Sequence, residues 1–170
     1  MDIFTVKLGS INPGVNSFNF KIRDSFFEAF TFSDIKHGNI SAIATLIKDG
    51  ENFSMNLSVD GQINQLNCDI CTDDLSMDIS AEADFIIKKT DEDLFSTDEI
   101  LYIKKSSNKI DLKHLFFELI ITNFPQKRQH NVDKNGKSTC NQKMVDLVNK
   151  YAQIKTTASD PRWDALKSLT

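Results

Sequence analysis

Two cysteines three positions apart, Cys68-Asp69-Ile70-Cys71, are the residues of this sequence best placed to do chemistry. A Cys-x-x-Cys corner lets two thiolates converge on one metal ion, and Zn2+ completes a tetrahedron with two further ligands. The chain holds one more cysteine, Cys140, at the start of a predicted helix, and His130 lies ten residues before it in a basic loop. Cys68, Cys71, Cys140 and His130 are therefore the candidate metal set, and Zn2+ is the candidate cofactor. The spacing from His130 to Cys140 matches no common zinc-ribbon half, and reduced thiols at a tight turn account for the first pair as well as a metal does. Thioredoxin-type redox chemistry fits less well. It needs the first thiol at a helix N-terminus, whereas here Asp69, Asp73 and Asp74 are acidic neighbours and a strand follows. No Gly-x-Ser-x-Gly, Walker loop, Gly-x-Gly-x-x-Gly or His-Glu-x-x-His motif is present. No catalytic residue is assigned, and the expectation is a protein that is not an enzyme.

The elements that must carry the thiols are strands. Gln62 to Asn67 reads as one strand and Leu75 to Lys88 as its return, with the Cys corner between them. On the return strand Leu75, Met77, Ile79, Ala81, Ala83, Phe85 and Ile87 fall on one face, and Ser76, Asp78, Ser80, Glu82 and Asp84 on the other. Successive strand side chains point to opposite faces, so alternation of this length places one face on a core and one in water. Upstream, residues 2–8 and Ser17 to Ile22 are predicted strands separated by the turn Asn12-Pro13-Gly14. Asp24 is a candidate cap for a short helix carrying Phe26, Phe27 and Phe30. Gly38 to Lys48 reads as a strand apolar on both faces. Asp49-Gly50 signals a hairpin, Glu51 to Val59 alternates, and Asp60-Gly61 signals a second hairpin. Residues 38–88 thus predict an antiparallel meander.

Beyond it, Asp91-Glu92-Asp93 and Asp98-Glu99 form an acidic loop, read as a solvated excursion, and Ile100 to Lys105 is a further strand. Asp111 to Phe124 carries Leu112, Leu115, Phe116, Leu119 and Ile120 at the spacing of an amphipathic helix that Pro125 stops; His114 sits at the edge of that stripe. Ser138-Thr139 is expected to cap a second helix with Met144, Leu147, Val148 and Tyr151 as its apolar stripe. Asp160-Pro161 starts a last helix presenting Trp163, Leu166 and Leu169.

A 170-residue chain can bury a core without disulfides. The 13 Phe against 2 Tyr and 1 Trp argue for a buried apolar interior rather than an exposed stacking surface. A net charge of -4 gives no global footprint for nucleic acid, so any phosphate contact must be local. The local patch is Lys127, Arg128, Lys134, Lys137 and Lys143, a basic stretch suited to phosphate or another acidic partner. An ordinary solvated loop explains the same charges. The longest greasy run, Leu115 to Ile121, is broken by Glu118 and falls short of the ~20 residues a membrane span needs. With no signal peptide read at the N-terminus, the expectation is a cytoplasmic protein with thiols reduced or metal-bound and no membrane partner.

Four features in this order resemble the YceD family of large ribosomal RNA subunit accumulation proteins. They are the corner Cys68-Asp69-Ile70-Cys71, the acidic loop before a helix, that helix ending at Pro125, and the closing Asp160-Pro161-Arg162-Trp163-Asp164-Ala165-Leu166. Lys127-Arg128-Gln129-His130 resembles the version carried on the Bacteroidetes side of that family. The chain departs from the pattern where many relatives read Cys-x-Arg-Cys-Leu, since Ile70 and Thr72 replace the arginine and leucine. Many relatives also carry several C-terminal cysteines, where this chain has Cys140 alone, so four thiolates cannot be assembled. The resemblance implies a role in building or maintaining the large ribosomal subunit through 23S rRNA or a large-subunit protein, without catalysis. It implies Arg162 and Trp163 as residues that dock the tail.

The expectation is an α+β protein: a curved antiparallel β-sheet or partial barrel with C-terminal helices packed against it. Residues 1–125 are read as the β core with its amphipathic helix, and 126–170 as a basic loop and helical tail, in the same domain or appended. The functional expectation is a ribosome-assembly factor that binds rRNA or a ribosomal protein. The alternative is a zinc-stabilised protein-interaction module without RNA contact.

Overall fold

The computed structural model describes residues 3–92, 94–97, 99–134 and 136–152. Their elements run β1 (Thr5–Lys7), a 3-10 turn (Leu8–Ser10), β2 (Gly14–Ile22), α1 (Asp24–Phe27), β3 (His37–Asp49), β4 (Asn52–Asn67), β5 (Asp74–Thr90), β6 (Ile100–Lys104), β7 (Lys109–Asp111), α2 (Lys113–Asn123) and α3 (Gln142–Ala152). The predicted last helix, with Arg162 and Trp163, lies outside the described residues. The chain divides into two compact units. One comprises Met1–Leu66 and Asp74–Arg128; the other comprises Asn67–Asp73 and the segment from Gln129 onward.

The first unit is built on a five-stranded sheet in the order β2-β3-β4-β5-β6, with β1 and β7 forming a separate two-stranded ladder. β2, β3 and β4 are successively antiparallel. Asn56 donates to Asp84 and Gln62 to Asp78, so residue numbers fall along β5 as they rise along β4, and that pair is antiparallel too. β6 departs from the expectation. It pairs parallel to β5, with Ile86 opposite Ile100 and Lys88 opposite Tyr102. The acidic loop is what permits this, because it carries the chain back alongside β5 instead of reversing it. Ile86 N–H donates to the Glu99 carbonyl at 2.8 Å, Lys105 N–H to that of Thr90, and Asp91 pairs with Lys105 at 3.0 Å. The sheet is therefore mixed, and it does not close into a barrel.

β3 also corrects the sequence reading. Gly38, Ile40, Ala42, Ala44 and Leu46 are buried, while Asn39, Ser41, Ile43 and Ile47 are exposed, so only one face is in the core. Asp60-Gly61 is no turn, and Gln62–Asn67 is no separate strand; β4 runs straight through them. Gly61 serves close approach instead. It lies opposite Ile40, and a Cβ there would collide with the Asn39 carbonyl oxygen and sit 2.6 Å from the Ile40 Cα. Further along, Gln65 adopts φ 53, in the left-handed region. One residue is thereby absorbed as in a β-bulge, and the buried positions change from odd (Met55, Leu57, Val59, Ile63) to even (Leu66, Cys68).

Beneath the sheet lies a phenylalanine cluster. Phe4 stacks on Phe20 at 5.5 Å, Phe116 meets both edge-on, and Phe30 lies flat on Phe117 at 3.8 Å between centroids. Phe20 faces Ala42 across the ladder, which makes room for the large ring beside a small residue. α2 supplies Phe116, Phe117, Leu119 and Ile120 to this core and packs against β5; Leu115 is only half-buried. Phe124 takes an extended conformation (ψ 132) before Pro125, which ends the helix as the proline requires. Asp24 does not cap α1. Its carboxylate binds His37 Nδ1 at 2.9 Å and accepts the Gly38 N–H at 3.1 Å, tying the helix start to β3. That partnership, led by the His37 hydrogen bond, holds its pKa below the usual carboxylate value. His114 is exposed and lies edge-on to Phe30.

Gly61→Ala should cost about 2–4 kcal/mol, because overpacking against backbone cannot be relieved by a rotamer change. Urea unfolding, followed by circular dichroism, measures it against Gly9→Ala as a control, since Gly9 has open space around it and no left-handed backbone.

Candidate metal centre

The second unit begins at the corner between β4 and β5. Thr72 N–H donates to the Cys68 carbonyl at 2.9 Å and Cys68 N–H to that of Asp73 at 3.0 Å, which closes the corner on itself. Thr72 has φ 60, a conformation that a β-branched residue holds only when its surroundings fix it. Its hydroxyl donates to the Cys71 carbonyl at 2.7 Å.

The other half of the site is a hairpin formed within the basic loop. Val132 and Ser138 form an antiparallel bridge, Asp133 N–H donates to the Lys137 carbonyl, and Thr139 N–H and Oγ1 both donate to the Asn131 carbonyl. Gly136 (φ 78) supplies the left-handed residue of the turn. This pairing places His130 and Cys140 side by side. Their ten-residue spacing fits no ribbon half because a hairpin, not a knuckle, separates them. α3 then starts at once. Asn141 caps it by accepting the Lys143 N–H at 3.1 Å, in place of the expected Ser138-Thr139, whose side chains are used by Cys140 N–H and the Asn131 carbonyl.

All four candidate ligands converge. Cys68 Sγ lies 3.6 Å from Cys140 Sγ, and His130 Nδ1 lies 3.4 Å from Cys71 Sγ and 3.5 Å from Cys140 Sγ. The four ligand atoms lie within 4.8 Å of one another. A tetrahedral Zn2+ with Zn–S near 2.3 Å and Zn–N near 2.0–2.1 Å has S···S edges of about 3.8 Å and S···N edges of about 3.6 Å. The residues fit that polyhedron. The three cysteines are free thiols, and they are the only buried side chains among the described residues of this unit. No residue of α3 is buried. Its described residues form no apolar core, and a body built so calls for a staple of another kind.

The thiols are not equivalent. Burial pushes the Cys68 thiol up, but hydrogen bonds from the backbone of Cys71, Ile70 and His130, together with the Cys71 side chain, outweigh it and bring the value from 9.0 to about 6. Cys71 moves the other way: burial raises it, aided by Cys68 and Asp73, against the backbone N–H groups of Asp73 and Asn141. Asp73 thus raises Cys71 as an acidic neighbour does, while at Cys68 the converging N–H groups outweigh burial.

The basic residues separate. Lys134 and Lys137 flank the hairpin turn and Lys143 opens α3, all exposed in the second unit; Lys127 and Arg128 belong to the first. Arg128 is half-buried, 3.8 Å from Asp34 and over the Phe124 ring. Among the described residues no acidic cluster suited to a metal accompanies the Cys/His group, and no helix is long and apolar enough to cross a membrane.

Residues 55–170 match the family profile described as Large ribosomal RNA subunit accumulation protein YceD. The chain belongs to the YceD family. All four converging ligands fall inside the matched region, as do the corner, the acidic loop and the closing motif through which the resemblance was read. Neither the curated proteins nor the solved structures give a significant match to this YceD member.

For metal-free protein the linkage sign follows from the lowered Cys68 value: its thiolate contributes stability that is complete above pH 9.0 and is lost as pH falls through about 6. An ultraviolet thiolate titration after chelator treatment should show one ionisation centred near pH 6, absent from Cys68→Ser. All ionisation confined above pH ~8, where unperturbed thiols titrate, would contradict it.

Proposed function

We propose that this YceD protein is a non-enzymatic factor in large ribosomal subunit biogenesis, acting in the cytoplasm to support 23S rRNA accumulation by binding rRNA or a ribosomal protein. The observation that carries this reading is the family match across residues 55–170. A structural rather than catalytic centre agrees with it. Cys68, Cys71, His130 and Cys140 would fill all four positions of a tetrahedral Zn2+ and leave none for water or substrate. Zinc in this reading fastens the hairpin to the corner, so that Lys134, Lys137 and Lys143 stand on a fixed surface, with Lys127 and Arg128 as further contacts. Arg162 and Trp163 keep their proposed role in tail docking.

Depletion in cells should lower 23S relative to 16S rRNA, measured on total RNA; an unchanged ratio would remove the assembly role. Zinc is tested separately. Protein purified without chelators should contain one equivalent of zinc, and Cys68→Ser should lose it and melt at lower temperature, since structural zinc contributes folding free energy directly. Zinc-free wild-type protein, by elemental analysis, would refute the metal. If Lys134, Lys137 and Lys143 meet phosphates, their combined change to Gln should flatten the salt dependence of RNA binding by roughly 2 in log–log slope, at about 0.7 per single-strand contact.

A further inference from the structure

The outward face of the five-stranded sheet carries an apolar row that no described element covers. Val15 on β2 lies opposite Ile47 on β3, and Ile47 opposite Ser54 on β4. The same ladder step leads to Ile86 on β5, which pairs with Ile100 on β6. Val15 is 69% exposed, Ile47 44% and Ile86 50%. β-branched residues favour strands even in water, but here they stand in register from edge to edge. Their neighbours on the same face are Ser17, Thr45, Asn56 and Asp84 on one side and Asp49, Lys88 and Tyr102 on the other. Ile47, Ser54, Asn56, Asp84, Ile86 and Glu99 line a shallow groove of about 490 Å3 there.

The charge around the row is predominantly negative, with Lys88 beside Ile86 and Lys104 on β6 as the exceptions. Asp60, Asp78, Glu82 and Asp84 point outward and are exposed, with Glu99 at the groove edge. Along β2–β5, Lys21 and Lys88 are the outward lysines, and Lys21 is held by the Ser41 hydroxyl at 2.8 Å. Phosphate would be repelled from this face, whether from RNA or an anionic lipid, and a second copy laid face to face would oppose carboxylate to carboxylate. What the face complements is a cation-bearing chain with apolar side chains to seat on the row.

We propose that this face is a docking surface for a lysine- or arginine-rich polypeptide segment, anchored by apolar side chains on the Val15–Ile47–Ile86–Ile100 row and held by the surrounding carboxylates. The inference deepens the assembly-factor reading by naming the class of its protein partner. Its test uses no ribosomal component, so its failure would leave the rRNA-ratio measurement standing.

The probes are a fluorescent twelve-residue peptide alternating Lys and Leu, its Lys–Ser counterpart, and a single-stranded RNA of similar length, each titrated against full-length protein by anisotropy. The Lys–Leu peptide should bind more tightly than the Lys–Ser peptide, and its affinity should fall with salt. The double change Ile47→Ser with Ile86→Ser should weaken it about tenfold, or ~1.4 kcal/mol, by loss of anchors without change of charge. Asp84→Lys should weaken it comparably, and neither variant should alter RNA binding. Circular dichroism confirms that both variants fold, and the amide resonances that shift on peptide addition should map to the outward residues of β3–β5. Three results would each overturn the proposal: peptide affinity unchanged in both variants, RNA binding lost in them, or sedimentation showing a dimer that Ile47→Ser with Ile86→Ser disperses.

Discussion

Three sulfurs and an imidazole nitrogen meet in the second unit, and the rest of that unit depends on their meeting. Among its described residues the strands amount to one isolated bridge, α3 buries nothing, and the only buried side chains are the cysteines themselves. Hydrophobic burial, which holds the first unit together through the phenylalanine cluster and the inner face of the sheet, is nearly missing from the described residues of the second. The ligands are drawn from positions separated by 59 and 72 residues, so their convergence also closes long loops of chain. Loop closure becomes only slowly more costly with length, and one strong tetrahedral site can offset it.

Much of this was legible in the sequence, for physical reasons that differ by element. The alternation of β5 and of Phe53 to Val59 survives intact because a half-buried strand has no other way to satisfy both faces. The ligand set was legible because few residue types bind metals and the chain has few cysteines. What the sequence hid was set by pairing rather than by pattern. Gly61 looks like a turn residue, but its value lies in the closeness of β3, which local sequence does not announce. The parallel setting of β6 depends on where the acidic loop leads the chain, not on the composition of either strand. His130 and Cys140 were hard to join because the joining element is a hairpin between them; Asn135-Gly136, a strong turn dipeptide, was the available signal.

The two units also divide the electrostatics. The outward sheet face is acidic around an apolar row, while the hairpin and the start of α3 carry Lys134, Lys137 and Lys143. A near-neutral total conceals both, which is why net charge alone misreads what such a chain can bind. The Cys68 thiol shows the same point at the scale of one residue. Its acidic sequence neighbours suggest a raised value, whereas the backbone N–H groups that outweigh its burial and lower it are visible only in the fold.

The bulge at Gln65 has an evolutionary corollary. Because it shifts the strand by one position just ahead of Leu66, an insertion or deletion of a single residue between Gly61 and Leu66 would turn Leu66 from the core face to the solvent face without altering any buried side chain. Length in this short span should therefore be under tighter selection than side-chain identity, the reverse of what holds for most strand ends.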